Sequence, residues 1–301
     1  MVVMAPIQRL LTWLLGPTPR LREVGNSGPL LVMVLCVGVI SMWLDTKHTF
    51  NTPGAEDSWT LMAYGCLPLA AVICWQLRGA KSFGIAILVS VVAIVAPLLM
   101  RVASSNWSGS ISKDAVPLLL VGVTGSVVLV ALALHEGVDL EEWGLGVGDW
   151  RWWLPRFALA AVLMEVMVIG IAWWDPEIRT YYPEYGPAKT SAWQLARYQA
   201  WLGIYMLGWE CFFRGIFLQG VAKRGDVLFA VMVPSIPFFL LHWHKPEIEM
   251  LSAFVGSVGA CWFCLNARSF WPVFLLHWAM NLSMEVTCFA WRNLTDSIPP
   301  G

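Results

Sequence analysis

Five stretches of this chain, 24–44, 58–77, 82–100, 115–134 and 250–267, run without a single Asp, Glu, Lys or Arg. A helix needs roughly 20 apolar residues to cross a bilayer, and an ionised side chain left in hydrocarbon without partners is costly. Charges such as Asp45, Arg78 and Arg101, or His135, bound these windows, so each predicts one transmembrane helix. Four further apolar stretches carry polar residues: 157–174 holds Glu165, 198–222 holds Glu210 and Arg214, 227–243 holds His242 near its end, and 269–291 holds His277 and Glu285. The pattern predicts an all-α fold, a polytopic bundle of eight or nine transmembrane spans.

Composition agrees, with 58% of the 301 residues hydrophobic and 13% charged. Soluble domains are about a quarter charged, so a water-soluble enzyme and a disordered chain are both excluded. Lys+Arg 19 against Asp+Glu 20 gives a net charge of -1, which leaves no polybasic field for phosphate backbones and no nucleic-acid partner. With nine spans and the N-terminus inside, inner segments hold 10 Lys/Arg and outer ones 8, Arg214 lying within the membrane; this split favours N-inside. Arg9 interrupts the first apolar run and no A-x-A site precedes Gly25, so an interfacial helix over 7–15 is a simpler expectation than a cleaved signal peptide.

Polar groups concentrate in the C-terminal half. Residues 1–150 read as N-terminal transmembrane helices, 151–291 as the part that carries chemistry, and 292–301 as a short tail. Tryptophan pairs near span ends, Trp152-Trp153 and Trp173-Trp174, fit an interfacial aromatic belt. The segment 135–156 reads as an acidic connector. The segment 175–197, with Tyr181-Tyr182-Pro183-Glu184-Tyr185, reads either as a plain connector or as a structured loop over a pocket mouth. All seven cysteines fall inside predicted spans, so Cys261-Trp-Phe-Cys264 is expected to pack rather than to do redox chemistry. His135-Glu136 opens like a zinc-protease helix, but Asp139 stands where its second histidine belongs.

Three intramembrane pairs are spaced four apart: Glu210 with Arg214, Phe238 with His242, and His277 with Asn281. Each pair shares one helix face. Polar residues in hydrocarbon face the bundle interior and mark function by default, although ion pairing and interhelical hydrogen bonds would also satisfy them. Together the set can hydrolyse an amide. A carboxylate takes a proton from water, one histidine positions that water or serves as acid, and a second histidine with an asparagine donates to the oxyanion. No serine or cysteine has an evident base beside it, which makes water the expected nucleophile.

Three motifs, Trp209-Glu210-Cys211-Phe212-Phe213-Arg214-Gly215, then Phe238-Phe239-Leu240-Leu241-His242, then Arg268-Ser269-Phe270-Trp271-Pro272 leading to His277-Trp278-Ala279-Met280-Asn281, resemble the CPBP family. These are the CAAX prenyl protease and bacteriocin-processing (Abi) proteins, glutamic intramembrane endopeptidases. Lys245-Pro246-Glu247, Gly256 and Gly259 fit the same pattern, and the likeness runs over about 150–291. It implies that Glu210 and His242 activate water, that His277 and Asn281 form the oxyanion hole, that Arg214 holds the glutamate helix, and that Phe238 walls the pocket. It further implies no metal and no other cofactor, and a membrane-embedded or lipid-anchored protein or peptide substrate. A multi-pass protein of a bacterial inner membrane is expected.

One position departs from the family, whose first motif usually reads Glu-Glu-x-x-x-Arg with the first glutamate taken as catalytic. Here that position is Trp209. Adjacent helical residues point about 100° apart. Either Glu210 takes over after a modest rotation, or the chain has kept the fold for binding, as an immunity protein against a bacteriocin-like peptide would. The Trp-Glu form followed by aromatics and Arg-Gly is similar to a bacterial branch that includes myxosortase-type sorting proteases, which favours hydrolysis in C-terminal anchor processing. A transporter ranks last, since the two similar halves with broken helices expected of many transporters are not found.

Overall fold

The computed structural model describes residues 139–296, apart from 224–226 and 243–244, together with positions 9, 10, 12–14, 16 and 137. The windows 24–44, 58–77, 82–100 and 115–134 lie outside the described residues, and so does the part of the span count that rests on them. Among the described residues there are helices and turns and no strand. In chain order they are α1 (Trp150–Trp174), α2 (Pro176–Tyr181), a 3-10 turn (Gly186–Lys189), α3 (Ala192–Glu210), a π-helical turn (Cys211–Phe217), α4 (Leu218–Lys223), α5 (Val227–Leu241), α6 (Glu247–Ala267) and α7 (Trp271–Asp296).

Three of these helices are long and apolar enough to cross a membrane: α1, α6 and Trp271–Leu294 of α7. Their outward faces are what a lipid-facing helix requires. On α1, Val162 and Val166 are 61% and 67% exposed although both are aliphatic, and Trp173 and Trp174 stand exposed at its C-terminal end. Water would penalise such a surface, at about 25 cal/mol per Å² of apolar area. Hydrocarbon does not.

Local chemistry starts and stops the helices where the packing needs it. Asp149 caps α1 by accepting from Trp152 N at 3.1 Å, and Asp175 caps α2 by accepting from Glu177 N at 2.8 Å, with Pro176 in the first turn. Arg268 ends α6 in the left-handed region, at φ 54. The turn that follows is fixed by the connector before α1: Ser269 Oγ donates to Gly146 O at 2.7 Å, Phe270 N to Gly144 O at 3.0 Å, and Trp271 Nε1 to Leu145 O at 3.1 Å. Gly148 belongs to the same junction. Its φ is +62, and a Cβ there would run into Ala267 O, so glycine is needed on both counts.

Packing brings α7 against both α1 and α3, and α5 against α6. At Gly203 of α3 an added Cβ would lie 2.7 Å from Trp278 Cε2 of α7. One turn earlier, Trp278 Nε1 donates to Gln199 O at 3.1 Å. Glycine therefore sets the spacing between the two helices that carry Glu210 and His277. Gly203→Ala is expected to cost about 1–3 kcal/mol by overpacking, read as a lower thermal midpoint of the detergent-solubilised protein. An unchanged midpoint would mean that the interface has slack.

Candidate active site

Glu210 is the last residue of α3, and the backbone widens into the π turn immediately after it. Such turns are rare, and within α-helices they recur at functional sites. Here the turn carries Arg214. Both side chains are 1% exposed, and Arg214 Nε lies 3.4 Å from Glu210 Oε2. That contact pairs the charges without hydrogen-bond geometry. Arg214 Nη2 donates to Ser257 Oγ on α6 at 2.7 Å, and the guanidinium sits 5.0 Å from the Phe238 ring centroid. Burying either charge alone would be expensive, and together they are neutral.

Glu210 Oε1 meets His277 Nδ1 of α7 at 2.8 Å. A carboxylate only accepts, so Nδ1–H is the donor and the tautomer is set. Glu210 Oε2 accepts no hydrogen bond among the described residues. Phe238 of α5 lies between the two histidines, its centroid 4.6 Å from that of His242 and 5.2 Å from that of His277. His242 itself is turned by its backbone, Nδ1 donating to Phe238 O at 2.6 Å. Asn281 is one turn along α7 from His277 and 9% exposed.

Five of the six expected site residues are thus linked through direct contacts, and Asn281 shares the His277 face of α7. Trp209 takes no part in the polar chain. Its ring is buried against Phe213 at 4.3 Å and Tyr205 at 6.1 Å, so the carboxylate that reaches a histidine is at 210. Cys261 and Cys264 are buried free thiols, in keeping with a packing role. His244 lies outside the described residues. Among the described residues no three His, Cys, Asp or Glu side chains gather as a metal site would require.

A second polar group adjoins the first and was not expected from the sequence. Glu249, in the first turn of α6, places Oε1 3.7 Å from His242 Nε2 and 3.0 Å from Lys245 Nζ. Tyr182 OH donates to Glu249 Oε2 at 2.7 Å, and Lys245 also reaches Glu184 Oε2 at 3.5 Å. The segment 175–191 is therefore a structured strap tied to the α5–α6 junction beside His242. It is tied to α7 as well, where the buried Glu285 accepts from Glu184 N at 3.0 Å. Burial alone would lower the pKa of Lys245, but the Glu184 and Glu249 carboxylates outweigh it and hold the ammonium well above its ordinary value. Burial raises the Tyr182 hydroxyl, which stays a proton donor. The signal was present as an i, i+4 Lys–Glu spacing. A glutamate in a first helical turn, however, looks like ordinary dipole compensation.

Residues 191–283 match the family model of the type II CAAX prenyl endopeptidase Rce1-like proteins. No curated protein and no solved structure matches the chain. The matched stretch opens at Ser191, which caps α3, and closes just past Asn281, so it contains every residue of the polar chain from Glu210 to Asn281. With its apolar helices the chain is a membrane protein, and the stretch that carries these three motifs is similar to the CAAX-protease-like peptidases.

Proposed function

We propose that this protein is an intramembrane endopeptidase that hydrolyses a peptide bond in a membrane-embedded or lipid-anchored protein, in C-terminal anchor processing or sorting. The observation that carries the reading is the contact of Glu210 with His277 inside a largely apolar helical core. It also includes a multi-pass bundle of eight or nine spans in a bacterial inner membrane.

The chemistry follows from which atoms remain available. Glu210 Oε1 is spent on His277, which leaves Oε2 to take a proton from water. With Nδ1 spent on Glu210, His277 donates to an oxyanion through Nε2–H, as a ring that carries a proton on both nitrogens. Asn281, on the same face one turn on, supplies the second donor. Asn281→Ala is expected to slow cleavage on the order of 10²- to 10³-fold, measured as initial rate at matched protein levels. A loss below threefold would remove it from the oxyanion hole.

The reading is tested by incubating the purified protein in lipid vesicles with the membrane fraction of cells lacking the gene, and mapping new protein termini by mass spectrometry. At least one new terminus within or beside a membrane anchor is expected. No new terminus would overturn hydrolysis in favour of a binding or immunity role.

A further inference from the structure

The direction of one hydrogen bond gives the Glu249 contact its meaning. His242 Nδ1 is 2.6 Å from Phe238 O, and a carbonyl carries no proton, so Nδ1–H donates and the neutral ring holds its lone pair at Nε2. Nε2 faces Glu249 Oε1 at 3.7 Å. A lone pair gains nothing from a carboxylate at that distance. An imidazolium Nε2–H does, by charge attraction across a site where the two side chains are only 12% and 18% exposed. The contact therefore favours the protonated ring, which is the form that gives a proton away.

Glu249 is held in this aim from two directions. Lys245 grips Oε1 from the preceding turn at 3.0 Å, and Tyr182 OH of the strap grips Oε2 at 2.7 Å. Glu249 is thus the carboxylate that faces the imidazole, and Lys245, itself shared with Glu184, opposes its charge. Dipole compensation does not account for this arrangement. The exposed Glu247 in the same turn already serves that end, with no buried lysine and tyrosine around it.

We infer that Glu249 is a positioning residue that makes His242 the general acid of the hydrolysis. The inference rests on the hydrolytic reading above. Water adds its oxygen to the carbonyl carbon as its proton passes to Glu210. The C–N bond then breaks as Nε2–H of His242 gives its proton to the departing amine. Exchange with solvent removes the proton from Glu210 and restores one to His242, and Glu249 itself neither gains nor loses a proton.

The charged and titratable groups around His242 are Glu249 of α6, Lys245 of the turn before it, Glu184 and Tyr182 of the strap, and, across Phe238, His277 of α7 and Arg214 with Glu210. The test uses the full chain labelled with ¹⁵N-histidine in detergent, as wild type, Glu249→Gln, Glu249→Asp and the control Glu247→Gln. Two quantities are read: the titration midpoint of His242, assigned with His242→Gln, and the pH profile of cleavage of membranes from cells lacking the gene. An acid must be protonated to act, so activity falls as pH rises through its midpoint. Glu249→Gln is expected to move both the midpoint and that alkaline limb down by about one unit, a tenfold change in acid dissociation. Glu249→Asp keeps the charge and should lie between it and wild type, and Glu247→Gln should move neither. A midpoint and limb unmoved by Glu249→Gln, with wild-type cleavage intact, would overturn this inference alone. A moved midpoint with no cleavage by the wild type would instead sink the hydrolytic reading, and the acid role with it.

Discussion

Glu210→Gln is expected to reduce cleavage by about 10³-fold or more, since it removes the group that takes the water proton together with the charge that supports His277. The amide oxygen can still accept from His277 Nδ1, now seen at 2.8 Å, so the helices should keep their places. The check is initial rate at equal amounts of folded protein, with folding judged by thermal unfolding. Residual activity within tenfold of wild type would mean that Oε2 of Glu210 is not the base.

Arg214 gives the second large effect, and it concerns stability. Its guanidinium is the one Arg or Lys cation paired with Glu210 among the described residues, and both side chains are 1% exposed. Arg214→Met fills similar space but strands the carboxylate, and breaking a buried pair from one side costs about 3–5 kcal/mol. The double variant Glu210→Gln, Arg214→Met removes both charges and should recover most of that loss. Thermal denaturation of the four proteins forms the cycle. Additive losses would mean that the two side chains do not act as a pair.

Much of this was legible in the sequence because hydrocarbon admits so few solutions. The described spans fall where apolar stretches predicted them, and α6, Glu247–Ala267, nearly coincides with the window 250–267. Within the segment 175–197, Tyr182 and Glu184 are tied to Glu249, Lys245 and Glu285. Two features escaped for definite reasons. The stretch 198–222 reads as one helix because absence of charge reports depth in the membrane and not backbone pitch, whereas the chain there is α3, a π turn and α4. The connector 135–156 read only as acidic, since nothing local announces that carbonyls at Gly144, Leu145 and Gly146 will receive the donors of the α6–α7 turn. Within the site, the i, i+4 rule placed Glu210 with Arg214 and His277 with Asn281. The contacts that join separate helices, Glu210 to His277 above all, follow from packing set by Gly203 and Trp278, which no spacing rule reports.

The account turns on which of two adjacent positions carries the chemistry. Trp209 Nε1 makes no hydrogen bond among the described residues, so Trp209→Phe removes nothing polar from the site and keeps a ring against Phe213. The decisive measurement compares membrane-protein termini in cells lacking the gene and complemented with wild type, Trp209→Phe or Glu210→Gln at matched levels. The expected result is the same shortened membrane protein with wild type and Trp209→Phe, and its uncleaved form alone with Glu210→Gln. Processing that persists in Glu210→Gln cells and fails in Trp209→Phe cells would contradict the assignment of the carboxylate at 210.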